Sequence, residues 1–291
     1  MKLAGMDMSY YRTVKLKLCE GTILNDLTKI ENDILINNPV TYIYFNLRNK
    51  IIYIGETSSF KNRHKEHLAE KNPKINYRLF TDCLVIYSKL FHKSAILDLE
   101  SLLLNYMIAE ADKTKFVFAN GNNGQTKITY ENKEEILTSV FYELWTHELS
   151  DLGLVNNRNL NELRESLLFK YSPFKQLSLK QKEIIGDVEK NLFTKFLVEA
   201  PAGSGKSVLF TNLAFSLADK YPDLKIGVVT TGNLIRQFNL IFKSINLNSR
   251  LTVKTGSQLI TDAKKKHENF DIIIVDEAHK LKKFYKKGHP N

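Results

Sequence analysis

Two stretches of this 291-residue chain combine residue types and spacings suited to handling phosphate. The first is Phe196-Leu-Val-Glu-Ala-Pro-Ala-Gly-Ser-Gly-Lys-Ser-Val-Leu-Phe210, an apolar strand pattern followed by a turn of small residues and then a helical pattern. Backbone N–H groups of Ala202, Gly203, Ser204 and Gly205 would curl around a β/γ-phosphate, and the following helix would aim its positive N-terminus at the anion. Lys206 would reach the β/γ-oxygens and the Ser207 hydroxyl would hold Mg²⁺. Ala200 stands where the pattern G-x-x-x-x-G-K-[ST] begins with Gly, and a chance Gly/Ser turn is the bland alternative. The second stretch, Phe270-Asp-Ile-Ile-Ile-Val-Asp-Glu-Ala-His279, reads as a strand buried on both faces that ends in two carboxylates. Asp276 would bind Mg²⁺ through water, and Glu277 would orient or deprotonate the water attacking a γ-phosphate. Together the two stretches predict an ATP site.

A third set lies earlier. Thr41 to Gly55 reads as two strands joined by a polar turn at Arg48–Lys50, and Phe60 to Ala69 as a helix with Arg63 and His67 one turn apart. Ser94 to Ala109 is a long amphipathic helix with Glu100 among Ile96, Leu97, Leu99, Leu103 and Leu104. A carboxylate in such surroundings is expensive unless it binds something. Taken singly, the tyrosines are strand-favouring aromatics, and Arg63, His67 and Glu100 fit an ordinary helix surface.

In this order the residues resemble a GIY-YIG endonuclease domain over about residues 40–125. Tyr42-Ile43-Tyr44 takes the place of the first signature, with Tyr42 where the family has Gly, and Tyr53-Ile54-Gly55 matches the second. Arg63 follows Tyr53 by ten residues, and His67 lies one helical turn beyond it. The resemblance implies that Glu100 is the metal-binding glutamate and that Tyr44 and Tyr53 are both in the site, one as general base. Asn120 is a candidate for the family's late asparagine, with Asn122 and Asn123 competing. Phosphodiester hydrolysis needs a metal, a base and a cation for developing charge. Glu100 would supply the metal (Mg²⁺, or Mn²⁺) and Arg63 would grip the phosphate. One of Tyr44, Tyr53 or His67 would handle the water. The base stays open, because a phenol of pKa about 10 is a poor base at neutral pH.

The elements that must position these groups divide the chain. Residues 1–36 read as an N-terminal appendage, with a strand pattern over Tyr11–Leu18 and helical spacing over Thr22–Ile34. Residues 37–125 form the small α+β nuclease-like domain, 126–172 a helical connector carrying Trp145, and 173–291 a partial ATPase domain. In the last part, strands expected at 194–199, 225–230, 251–254 and 271–276 alternate with helices, which predicts a RecA-like, doubly wound parallel sheet. This half resembles the first motor domain of superfamily-one-type helicases, most closely the Schlafen-like helicase family. Phe174 to Ile184 looks like the motif in which Gln181 would read adenine. Val228 to Gln237 resembles a strand-contacting motif that includes Thr230, Thr231 and Arg236, although either threonine could simply cap the next helix.

The formal net charge of +10 favours a polyanionic partner, nucleic acid before membrane and DNA before RNA. Cys19 and Cys83 have no disulfide or zinc spacing, and the chain shows neither a signal peptide nor a membrane span, so a soluble, cytoplasmic protein is expected. The sequence stops soon after His279, before a second motor domain, so a longer protein or a protein partner is expected to complete the motor. The function expected is an ATP-binding, metal-dependent DNA endonuclease whose helicase-type half positions or licenses cleavage. The alternatives are a non-cutting nucleic-acid-binding ATPase and an ATP-sensing scaffold.

Overall fold

The computed structural model describes residues 10–69, 75–121, 130–201, 203–266 and 269–278. Strand β1 (Arg12–Cys19) points Val14, Leu16 and Leu18 inward and its lysines outward, and turns through Glu20-Gly21, both at positive φ, into β2 (Thr22–Ile23). Helix α1 (Lys29–Asn37) starts at a capping box in which Thr28 and Glu31 satisfy each other's backbone N–H. Helical structure therefore begins later than the Thr22–Ile34 pattern suggested. Then come β3 (Val40–Asn46), β4 (Ile51–Thr57), α2 (Phe60–Ala69), β5 (Asp82–Tyr87), α3 (Lys93–Ala109), α4 (Ala111–Thr114) and β6 (Val117–Phe118).

The six strands are ordered β2-β1-β5-β3-β4-β6, antiparallel except for the short β4–β6 pair. The N-terminal segment is thus no appendage. β1 pairs with β5 from Arg12↔Tyr87 to Lys17↔Asp82, and its apolar residues belong to the same core as Tyr42 and Tyr44. Its alternating pattern carried that information, because such a strand has to bury its apolar face somewhere. On one face of the sheet Tyr42, Tyr44, Phe60, Phe80 and Val85 pack together with residues of α1 and α2. On the other, Ile43, Ile52, Ile54, Leu84 and Ile86 meet α3 and join a core that continues into the rest of the chain.

The connector begins at α5 (Lys133–Glu135) and widens into π-helical turns over Ile136–Phe141 and Leu144–Leu149. Trp145 is fully buried there, its Nε1 donating to the Asn157 carbonyl at 2.8 Å. After α6 (Leu160–Glu165) and α7 (Leu167–Lys170) come α8 (Leu179–Lys190), α9 (Lys206–Lys220), β7 (Ile226–Val229), α10 (Ile235–Ser244), β8 (Leu251–Lys254), α11 (Gly256–Lys266) and β9 (Ile272–Val275). The strands pair in parallel in the order β8-β7-β9.

Two expectations for this half are corrected. Residues 194–199 form no strand, and Leu197 is 78% exposed. An apolar run becomes a strand only where its backbone groups find a ladder. β9 is also not buried on both faces, since Ile273 is 48% exposed. The wide, doubly wound RecA-like sheet therefore amounts, among the described residues, to three parallel strands.

The two halves meet through one core. The Phe174 ring packs between Phe118, tilted against it, and Phe215, edge to face, and its carbonyl accepts from Ser101 Oγ and Asn105 Nδ2 on α3. Asp98, also on α3, accepts from Tyr130, Lys133 and Gln176.

Candidate active site

The two tyrosine signatures lie opposite each other in one antiparallel ladder: Tyr42↔Gly55, Ile43↔Ile54, Tyr44↔Tyr53. With period-two alternation, Tyr42, Tyr44 and Tyr53 share a face while Ile43 and Ile54 anchor the other. The Tyr42 ring lies directly over Gly55. It sits 5.4 Å from the Tyr44 ring and 6.2 Å from the Tyr53 ring. Asn120 clamps this ladder from beside β6. Its Oδ1 accepts from Ile54 N and its Nδ2 donates to Ile54 O, extending β4's pairing by one side chain. Asn122 and Asn123 lie outside the described residues.

Helix α2 turns His64 and His67 inward and Arg63 outward. His67 Nε2 is 3.1 Å from the Tyr42 hydroxyl, and its ring stacks on Tyr77 with centroids 3.9 Å apart. Burial first, then the charges of Arg63 and His64, lowers the His67 pKa to about 3, so the ring is neutral at pH 7. Tyr44 is 1% exposed and its hydroxyl meets His64 Nδ1 at 2.5 Å. Arg63 bonds to Glu66 at 3.0 Å. Burial works against its charge, but Glu66 and the Tyr42 hydroxyl raise its pKa overall.

Tyr53 is the point where the set converges. It is only partly buried, whereas Tyr42, Tyr44 and Tyr77 are buried. Burial raises its pKa, the Tyr77 hydroxyl opposes this, the charge of Glu100 raises it, and that of Arg63 lowers it. Glu100 is 3% exposed on α3, which packs against β3 and β4. The structure thus gathers Tyr53, Arg63, His67 and Glu100 with Tyr42 and Tyr44, both 1% exposed, and places the Tyr44 hydroxyl beside His64. His64 and Tyr77 were not anticipated. His64 could have been found, because it precedes His67 by three residues and so shares its helix face.

In the second half, Gly203 and Gly205 take left-handed φ values of +78° and +85° ahead of α9, conformations that favour glycine. Gln181 reaches this loop, its Nε2 donating to Gly205 O at 3.1 Å. A Cβ on Gly205 would come within 2.7 Å of that nitrogen. The Lys206 ammonium donates to the carbonyls of Ala200 and Pro201 at 2.7 and 2.8 Å. Ser207, Asp276 and Glu277 all act on the Tyr171 hydroxyl, whose pKa burial raises, Ser207 lowers, and the two carboxylates raise. The loop serine and the strand-end carboxylates therefore share one neighbourhood. Glu277 itself has φ +56°. Ala202 lies outside the described residues. Thr231 Oγ1 bonds to Asn233 Oδ1, and Arg236 is 3.6 Å from Asp112.

Among the described residues no group of three or more His, Cys, Asp and Glu side chains could hold a metal ion, and no helix is long and apolar enough to cross a membrane. A single buried carboxylate still suits Mg²⁺, which keeps several waters and takes the rest of its ligands from phosphate. A family model of the GIY-YIG catalytic domain matches residues 38–107. A second, described as Schlafen group 3, DNA/RNA helicase domain, matches residues 194–291. Comparisons with curated proteins and with solved structures gave no match.

Proposed function

We propose that this chain, which carries a GIY-YIG domain ahead of a Schlafen-type helicase domain, is an ATP-binding, metal-dependent endonuclease acting on DNA. The observation that carries the reading is the convergence on Tyr53 of Arg63 and Glu100, across a ladder in which the two signatures are paired. Arg63, on the exposed side of α2, meets the phosphate and takes up negative charge as it develops. Tyr53, which feels the charges of both Arg63 and Glu100, orients the attacking water. His67, neutral at pH 7, holds Tyr42 and with Tyr77 walls the site. Glu100 would hold Mg²⁺ or Mn²⁺, which when bound polarises a phosphoryl oxygen. In the second half, Gly203 to Ser207 would cradle nucleotide phosphate, with Asp276 and Ser207 toward Mg²⁺, Glu277 toward water and Gln181 toward the base. That half positions or licenses the cut.

A non-cutting nucleic-acid-binding ATPase is the second reading, favoured by the depth of Tyr44 and by the Arg63–Glu66 pair. The test is Mg²⁺- or Mn²⁺-dependent nicking of supercoiled plasmid by the purified chain beside Glu100→Gln. Nicking by the parent and none by the variant supports the nuclease. DNA binding without nicking by either supports the second reading.

A further inference from the structure

The pairing of Tyr44 with His64 has a definite polarity. His64 Nε2 is 2.9 Å from the carbonyl of Gly21, and a carbonyl can only accept. Nε2 therefore carries the hydrogen. In a neutral imidazole this leaves Nδ1 as the acceptor, so at 2.5 Å the Tyr44 hydroxyl must be the donor. Burial lowers the His64 pKa, which favours this neutral, one-donor form.

The carbonyl that sets the polarity is itself fixed. Gly21 sits at φ +87° in the β1–β2 turn, and a Cβ there would come within 2.4 Å of Leu68 Cδ2 on α2. The hairpin is pressed onto α2 at a point only glycine tolerates, one turn beyond His64 on the helix. β1 is tied down in turn by its ladder with β5. A chain of contacts thus runs from the sheet edge through Gly21 and His64 to Tyr44, ending opposite Tyr53.

We propose that His64, held as the Nε2–H tautomer by the Gly21 carbonyl, is a positioning residue of the nuclease site that keeps the buried Tyr44 hydroxyl donating to histidine and so fixes the Tyr44 ring beside Tyr53, with ring centroids 6.4 Å apart, for the orientation of the attacking water. The β1–β2 hairpin, which precedes the region matched by the nuclease family, is then part of the catalytic apparatus. This inference rests on the nuclease reading, so parent nicking is the control that separates the two. Loss of nicking by the parent defeats that reading, whereas the outcomes below concern His64 in a protein that cuts.

His64→Leu removes the acceptor at similar bulk, and His64→Asn restores an oxygen near Nδ1 that accepts a hydrogen bond. We expect plasmid nicking to slow by about 10- to 100-fold in His64→Leu, the kinetic equivalent of stranding one buried hydroxyl. DNA affinity should be unchanged, and His64→Asn should recover most of the rate. Equal rates for His64→Leu and the parent, or a His64→Asn as slow as His64→Leu, overturn the proposal. The parent offers a measurement that needs no variant to fold. Its ¹⁵N shifts should report a protonated Nε2 and a bare Nδ1 for His64, and the reverse tautomer defeats the inference.

Discussion

The Tyr42 ring occupies the space left by the missing side chain of Gly55: a Cβ there would lie 2.5 Å from both Cζ and the hydroxyl oxygen of Tyr42. The two residues are direct cross-strand partners. Tyr42 stands where the first signature of the matching family has glycine, and Gly55 of the second signature makes room for its ring. Gly55→Ala is therefore expected to cost about 1–3 kcal/mol through overpacking in a strand that otherwise tolerates alanine. In a Tyr42→Ala background most of that cost should disappear, because neighbours in contact are not additive. Urea denaturation of the four proteins in this cycle measures the coupling, and strict additivity would contradict the packing described.

Acid should weaken the fold through His67. Its pKa is about 3 in the native protein and about 6.5 in an unfolded chain. Between those values the unfolded state binds the proton and the native state does not, so stability is fully present above pH 6.5 and falls as the pH drops toward 3. From pH 6.5 to 5 the loss should be about 1–2 kcal/mol, at roughly 1.4 kcal/mol per pH unit. His64, also lowered by burial, adds a loss of the same sign. His67→Gln should flatten the slope over this range in urea denaturation at stepped pH. An unchanged slope would mean that His67 is charged in the fold.

The order Tyr44, Tyr53, Arg63, His67, Glu100 was legible in the sequence because local periodicities place each residue on a strand or helix face. The register Tyr44↔Tyr53 then follows from a short hairpin turn. What escaped was long-range. Nothing near His64 announces Gly21, because the carbonyl arrives by way of a strand whose partner, β5, is more than sixty residues away in the chain. The apolar run at 194–199 misled for the opposite reason: its composition suits a strand, but strand formation depends on a neighbour that the run cannot specify. Asn120 was legible by type, while its double bond to the backbone of Ile54 needed the β4–β6 pairing to be known.

Asp98 ties the two halves together. It is 6% exposed and accepts from Tyr130, Lys133 and Gln176, two residues before Glu100 on the same helix. Asp98→Ala removes the shared acceptor of three partly buried donors and should destabilise the protein by about 1–3 kcal/mol. Because the core runs from α3 through Phe174 to Phe215, the parent should unfold in one transition seen alike by Trp145 fluorescence and far-ultraviolet circular dichroism. Two separate transitions in the parent would mean that the halves are energetically independent.

The Lys206 ammonium is held by the Ala200 and Pro201 carbonyls, on an exposed loop. Bonds of this kind contribute little to folding in water, so Lys206→Ala should leave stability within about 1 kcal/mol of the parent. A nucleotide, by contrast, would draw the ammonium from these neutral carbonyls to charged β/γ-oxygens, where the bond is roughly twice as strong. Loss of that bond should weaken binding of a fluorescent ATP analogue by at least about 10-fold. Ser207→Ala should weaken binding in Mg²⁺ more than in EDTA, since its hydroxyl acts through the cation. Equal affinity in parent and Lys206→Ala would remove nucleotide from this loop and leave Gly203 and Gly205 as the turn of an ordinary helix start.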